Sequence, residues 1–176
     1  MIKEYKQEYI EKLKTAELPY FKYGLNINIQ PDLDKINPKT TNKNKNKIDL
    51  KYDKKNVNII ILDEINEKFA GKNEKIKEFF SNSWEDKDDN HTLFYNNEAY
   101  SKNYILIEVK EEKNIDLPII INYFVNEGTT FSSILIRASK NSKSRIIINR
   151  NGKKCYFSES VKIIAEECSK LELIVF

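Results

Sequence analysis

Glycine and proline, the residues that favour tight turns, are scarce in this sequence. The 176 residues include four Gly and four Pro. Two strand-like runs, ILI at 134–136 and III at 146–148, are separated by a polar segment that contains KNSKS and no Asn-Gly or Asp-Gly pair. Two-residue β-hairpins depend on such turns. The sequence therefore argues against a fold made of tight hairpins and predicts strands joined by plain polar corners.

Cysteine and long apolar runs are scarce as well. The two cysteines, Cys155 and Cys168, lie in strand-like contexts, and the opening MIKEYKQEYIEKLK lacks the apolar core of a signal peptide. No segment approaches the roughly 20 apolar residues that span a bilayer. Structural disulfides belong to oxidising compartments. The sequence therefore predicts a cytoplasmic protein that does not contact a membrane.

Neither sign of charge dominates the composition. The net charge is +3 with 32% charged residues, and arginine occurs only at positions 137, 145 and 150. The lysine-rich segment PKTTNKNKNKIDLKYDKK, residues 38–55, lacks the aromatic residues on which nucleic-acid bases stack. We therefore predict a solvated, low-complexity loop near 38–55 and no nucleic-acid partner.

Helix and strand patterns both occur in the first 90 residues. Apolar residues recur at helical spacing over residues 2–16, and Pro19 lies just beyond them. Val57–Leu62 is predicted to be a buried strand. Asp63 is the predicted N-cap of a second helix with the apolar residues Ile65, Phe69, Ile76, Phe79 and Phe80. Residues 1–90 are thus predicted to form a helical or α+β region.

From residue 104 onward the pattern is that of β-strands. YILIEV, PIIINYF, SSILIRAS, SRIIINR, VKIIAE and LELIVF follow one another at intervals of roughly 10 to 15 residues, with no helical pattern between them. Evenly spaced short strands suggest a sandwich, a barrel or a solenoid. Several runs are apolar at successive positions, as in strands covered on both faces. With little glycine, this favours a mainly β fold with a parallel β-helix over residues 91–176, and a sandwich is the alternative.

Several blocks of the sequence resemble the iron–sulfur cluster assembly scaffold proteins SufB and SufD. The shared pattern is an Asp-Asn pair, a displayed strand, a Pro-containing segment and a strand-rich block. Here these read Asp89-Asn90, YILIEVK (104–110), DLPI (116–119) and TFSSILIRASKNSKSRIII (130–148). EKLKTAELPYFKYGLNI, VNIIILDEINEKF and SVKIIAEECSKLELIVF are similar to the family's N-terminal helix, its first strand and helix, and its next strand block.

The resemblance implies a right-handed parallel β-helix (β-solenoid) behind an N-terminal helical region. KNSKS would then be a corner between successive strands. The inward columns would hold Ile134, Ile136, Ile146 and Ile148. The solvent-facing positions would hold Arg137, Lys143 and Arg145. Neighbouring layers of such a fold stabilise one another cooperatively.

The resemblance also implies a non-catalytic scaffold of the SUF system, shortened or truncated. Its partners would be a SufC-like ATPase and a SufB/SufD-like subunit, and an Fe–S cluster would be held only by the larger complex. The family regions for partner contact and cluster binding lie beyond the last similar block, so no functional residue is carried over. Lys102-Asn103 also replaces a family glycine. Because LELIVF is an apolar strand, we expect the chain to continue or to form an end-to-end homodimer.

No residue pattern points to a metal or a cofactor. His91 stands alone beside Asp88 and Asp89, whereas a metal site needs several convergent ligands. Cys155 and Cys168 are thirteen positions apart, roughly one rung of a solenoid, and are predicted to be able to stack on one face. Two thiolates are nevertheless fewer than iron–sulfur clusters usually require.

Catalytic patterns are missing too. Glu111-Glu112 and Glu166-Glu167 are interpreted as solvated charge, because neighbours in a strand point to opposite faces. The sequence contains no phosphate loop, no G-x-S-x-G and no H-E-x-x-H. We predict no catalytic, cofactor-binding or metal residues and no enzyme activity. Two alternatives stay open: a β-helical enzyme that acts on polysaccharides, and an interaction module without cluster chemistry.

Overall fold

The computed structural model describes residues 2–16, 21–23, 27–29, 47–63, 74–80, 92–125, 128–153 and 155–176. Within these ranges the chain is mainly β, which confirms the predicted fold class at that level. The helices are α1 (Ile2–Leu13), α2 (Glu74–Phe79) and α3 (Thr92–Tyr100). The strands are β1 (Phe21–Tyr23), β2 (Ile27–Ile29), β3 (Lys47–Lys51), β4 (Val57–Asp63), β5 (Asn103–Val109), β6 (Ile119–Val125), β7 (Gly128–Ala138), β8 (Lys143–Gly152), β9 (Cys155–Ala165) and β10 (Lys170–Val175).

The N-terminal region contains the predicted helix and also a strand that the sequence did not indicate. α1 confirms the helix, although it ends before residue 16. Residues 47–51, predicted as part of the solvated loop near 38–55, form β3 instead. In β3 the apolar residues Ile48 and Leu50 alternate with polar ones and pack against the core, which is why the segment is extended. Residues 64–73 of the predicted second helix lie outside the described residues.

Two four-stranded sheets enclose one core, and from β5 onward successive strands lie alternately in one sheet and the other. The strand orders are β4-β5-β7-β9 and β3-β6-β8-β10. From β5 onward the pairs within each sheet are parallel, whereas β4 pairs with β5 and β3 pairs with β6 in antiparallel fashion. Strands β5 to β10 are therefore connected by corners between the sheets rather than by hairpins within one sheet.

Three of the four parallel ladders repeat at one spacing, whereas the β5–β7 ladder is offset by 29 residues, as in the pair Ile105 and Ile134. Ile119 pairs with Ile146, and Ile146 pairs with Leu173, an offset of 27 residues each time. The β7–β9 ladder has the same offset, as in the pair Ile134 and Val161. Two strands and two connections thus make up each 27-residue repeat, which keeps equivalent side chains beside one another.

The corners that follow β5, β7 and β9 stack directly on one another. Each contains one residue with a left-handed backbone, namely Glu112, Asn141 and Cys168, with φ of 59°, 55° and 55°. The backbone N–H groups of Glu112 and Asn141 donate to the carbonyl groups of Lys140 and Glu167 at 2.9 and 3.0 Å. Asparagine adopts this conformation more readily than most residues. Asn141 therefore provides the left-handed residue of the KNSKS corner, which needs no glycine. The sequence predicted a corner at this segment.

The core between the sheets is built from columns of β-branched residues. The four isoleucines predicted to point inward are all fully buried in it: Ile134, Ile136, Ile146 and Ile148. Along the ladders, Ile105 lies beside Ile134 and Ile121 lies beside Ile148. Full burial of one such side chain contributes about 1.5–3 kcal/mol. These columns are therefore the main apolar support of the paired strands.

The prediction that Arg137 faces solvent is wrong. Its side chain is only 16% exposed, and its guanidinium group pairs with Glu166 at 2.7 Å and with Glu78 of α2. The reason is that α2 covers this part of the sheet. Lys143 is exposed and Arg145 is 54% exposed, as predicted. An outward position is thus solvent-exposed only where no helix packs on the sheet.

The three helices form a layer on the outer face of the β4-β5-β7-β9 sheet, here called the helical layer. Its contacts with the sheet form a second core: Ile2, Tyr5, Tyr9, Leu62, Ile76, Phe79, Phe80, Ala99, Tyr104, Leu106 and Leu135. Aromatic rings meet edge to face in this core, as Phe79 does with Tyr104 at a centroid distance of 5.6 Å. The β4-β5-β7-β9 sheet is therefore covered on both faces, by the other sheet and by the helical layer.

Candidate interaction surface

The last strand of each sheet has one paired neighbour in the described part of the chain. β9 pairs with β7, and β10 pairs with β8. The other edges of β9 and β10 thus present rows of backbone N–H and C=O groups. An edge of this kind can pair with a further strand. We call β9 and β10 together the terminal layer.

The inward side chains of the terminal layer are less well covered than those of the layer before it. Ile163 is 44% exposed and Val175 is 42% exposed, whereas their ladder neighbours Ile136 and Ile148 are fully buried. Strand edges and apolar side chains therefore occur together in the terminal layer. This combination is what binding by β-strand addition requires.

An ion pair links β9 to β8. Arg150 Nη2 lies 2.5 Å from Glu159 Oε2, and the side chains are 34% and 1% exposed respectively. Burial raises the pKa of Glu159, and the hydrogen bond from Arg150 opposes that rise. Nearby, Tyr123 Oη lies 3.0 Å from Ser132 Oγ. Because the two charges neutralise each other, the arrangement fixes β9 against β8 and does not point to acid–base chemistry.

We expect the fold to lose stability as the pH rises above about 10. Burial raises the pKa of both Tyr5 and Tyr123 above the ordinary value of 10.0. Below pH 10 both phenols are protonated in the folded and the unfolded chain. Above pH 10 only the unfolded chain ionises, so each tyrosine removes about 1.4 kcal/mol per pH unit. Circular dichroism and tyrosinate absorbance should therefore change together between about pH 10 and 12.

Lys162 is a further buried group that titrates at high pH. Burial lowers its pKa and the ion pair with Glu98 acts in the opposite direction, so we attribute the transition to the two tyrosines. The variant Tyr5→Phe with Tyr123→Phe should move the transition to higher pH. Ionisation of all ten tyrosines with an unchanged circular dichroism spectrum would contradict this prediction.

The two cysteines do not lie in one column, so the predicted stacking is wrong. Cys155 lies at the start of β9 and pairs with Gly128. Cys168 lies in the next corner, at the position equivalent to Asn141. Equivalent positions are 27 residues apart rather than thirteen, because one repeat includes two strands. Cys155 is half-buried and Cys168 is exposed, and both are free thiols.

The paired carboxylates lie in corners and not in strands. Glu111 and Glu112 are exposed in the corner after β5. In the corner after β9, Glu166 pairs with Arg137 and Glu167 pairs with Lys140, both at 2.7 Å. Since Glu166 and Glu167 bind different basic residues, they do not converge on a common site.

Some predicted positions are not covered by the structure. His91, Asp88, Asp89 and Trp84 lie outside the described residues. Among the residues that are described, no group of three or more His, Cys, Asp and Glu side chains could hold a metal ion. In the same ranges, no helix is both long enough and apolar enough to cross a membrane. That the chain has no catalytic, metal or cofactor residues stays a prediction.

No protein-family model matches the chain, and no curated protein matches it. The resemblance to SufB and SufD therefore depends on the sequence blocks alone.

Proposed function

We propose that this chain is a non-catalytic scaffold component of a SUF-type iron–sulfur cluster assembly system, similar to SufB or SufD. Its strands would form a right-handed parallel β-helix, and its helices would form the N-terminal region of that family. It would act in the cytoplasm with a SufC-like ATPase and a SufB/SufD-like subunit. A cluster would be held only by the complete complex.

The proposal rests on the similar sequence blocks, and the strand arrangement supports it. Strands β5 to β10 alternate between two sheets, and their ladders are parallel. A parallel β-helix has this alternation, because each turn adds one strand to each sheet. The sequence block YILIEVK coincides with β5, and TFSSILIRASKNSKSRIII coincides with most of β7 and β8. The similar blocks therefore fall on stacked strands, as the resemblance implies.

The terminal layer is the proposed contact with a SufB/SufD-like subunit. This contact is inferred from the strand edges and the partly exposed apolar side chains of this chain, and it is not carried over from the family. A strand of the partner would pair with the edge of β9 or β10 and would cover the partly exposed Ile163 and Val175. Two copies of this chain could use the same surface, which is the predicted end-to-end homodimer. The proposal commits to the heteromeric contact, because a scaffold must join a complex.

Affinity purification from the protein's own cells tests the scaffold proposal. The tagged natural protein should recover a SufC-like ATPase and a SufB/SufD-like subunit in near-stoichiometric amounts, identified by mass spectrometry. Recovery of the tagged protein without either of them would falsify the proposal and would favour an interaction module with another role.

Two matched variants test the contact surface in the same purification. Ile163→Lys places a charge in the terminal layer and should reduce recovery of the SufB/SufD-like subunit by about tenfold or more, because a buried lysine would lack a partner. Leu117→Lys changes a residue that is 79% exposed between β5 and β6, and it should leave recovery unchanged. Equal recovery with both variants would exclude the terminal layer as the contact.

A further inference from the structure

A buried charged pair joins the helical layer to the terminal layer. Lys162 of β9 points toward the helices, and its side chain is 3% exposed. Its Nζ lies 2.9 Å from Oε2 of Glu98 in α3. The same Nζ donates to Tyr5 Oη in α1 at 2.9 Å and to the Phe79 carbonyl in α2 at 3.3 Å. All three helices therefore contact one lysine.

Glu98 completes this network from the helical side. Its side chain is fully buried. It accepts hydrogen bonds from Tyr5 Oη at 2.8 Å, from Ser133 Oγ of β7 at 3.2 Å and from Ser160 Oγ of β9. The Lys162 ammonium group also lies 4.8–6.0 Å from the ring centroids of Phe79, Tyr5 and Phe94. The network thus connects α1 with β7 and β9, which lie more than a hundred residues later in the sequence.

The two charges depend on each other because both are shielded from water. Removing one member of a buried ion pair leaves an uncompensated charge, which is strongly destabilising. Replacing both members by uncharged groups is often neutral or stabilising. A network of this kind therefore responds differently to the loss of one charge and to the loss of both.

Helix α1 depends on tertiary contacts, which include this network and the packing of Ile2 and Tyr9 in the second core. It has 12 residues, and an isolated helix of that length is marginal in water. Its contact with Glu98 and Lys162 is made through Tyr5. The ladders of β5 to β8, in contrast, are held by backbone hydrogen bonds and by the isoleucine columns on the other side of the sheet.

We propose that Lys162 and Glu98 form a charge lock for α1. Loss of either charge alone releases α1 from the sheet, and loss of both charges does not. In the released state β5 to β8 remain paired, and the part of the second core to which Tyr5 and Tyr9 of α1 contribute becomes exposed to water. The lock is independent of the SUF scaffold proposal and holds whatever the chain binds.

Hydrogen–deuterium exchange on the full chain tests the lock. In Lys162→Met and in Glu98→Gln, amides of residues 2–13 should exchange about 100-fold faster or more, whereas amides of β5 to β8 should change little. In the double variant, α1 should return to within about tenfold of the natural protein. Lys170→Met, a change at an exposed lysine of β10, should leave the exchange of α1 unaltered.

Three results would overturn the lock. The first is unchanged exchange of α1 in both single variants. The second is a loss of protection that extends equally through β5 to β8, or a single variant that does not fold, because the pair would then support the whole chain. The third is a double variant in which α1 exchanges as fast as in the worse single variant, because packing rather than charge would then hold the helix.

Discussion

Ile148→Ala is expected to lower the free energy of unfolding by about 2–5 kcal/mol, the range for removing a fully buried aliphatic side chain. Ile148 lies between Ile121 and Val175 along the ladder, and none of its side chain is exposed. The substitution leaves a cavity that the stiff β-branched neighbours cannot fill. Urea unfolding at equilibrium measures the loss, which is a large part of the stability of an ordinary domain.

The neighbouring residue gives a matched control. Ile147 has the same side chain in the same strand but points to the outer face, where it is half-buried. Ile147→Ala should cost clearly less than Ile148→Ala, because part of the Ile147 side chain is already exposed to water. Equal losses for the two variants would mean that the inward column is not the core of this region.

Arg150→Met is expected to destabilise the fold by about 3 kcal/mol, the lower end of the range for breaking a buried ion pair. The lower end applies because a third of the Arg150 side chain is exposed, although the Glu159 side chain is almost fully buried. Without Arg150, the Glu159 carboxylate must be buried unpaired or take up a proton. The loss should therefore be smaller at acidic pH, where Glu159 is protonated in both states.

A second arginine in the same strand provides the control. Arg145 pairs with Glu172 at 2.6 Å, but both side chains are more than half exposed. Arg145→Met should change the stability by about 1 kcal/mol or less, since water screens exposed pairs. Chemical unfolding of both variants at pH 7 and at pH 4 separates the two cases. Similar costs for the two arginines would contradict the assignment of Arg150 and Glu159 as a buried pair.

Local sequence patterns predicted the strand-rich half well. The resemblance implied that the isoleucines at 134, 136, 146 and 148 point inward, and the period of two in a strand explains why residues two positions apart share a face. The corner at KNSKS was also predictable, because the segment is polar and separates two strands. These features depend on a few neighbouring residues, so they are visible in the sequence.

Long-range pairing was not predictable in this way. β3 and β4 complete the two sheets in antiparallel orientation, although the residues they pair with lie 40 to 77 positions later in the chain. The spacing of the cysteines was misjudged because a repeat contains two strands and not one. Arg137 was assigned to solvent because nothing in its own strand indicates that α2 covers it.

The partners of the charged pair in the proposed lock were also not predictable from the sequence. Lys162 lies in VKIIAEE, and a lysine at an outward strand position is usually solvated. Its partners Glu98 and Tyr5 are separated from it by 64 and 157 residues. Only the packing of the helices on the sheet brings these groups together. The SUF role, in contrast, rests on similar sequence blocks and stays a prediction until the partners are identified.

The 27-residue repeat allows this architecture to lengthen or shorten in whole units. From β6 onward a segment of that length contributes one strand to each sheet, so adding or deleting it there would leave the remaining parallel ladders in register. An insertion of a single residue within a strand would instead turn its isoleucines outward. Evolutionary changes in the size of such a protein should therefore add or remove whole repeats. The corners are the expected sites of these insertions and deletions.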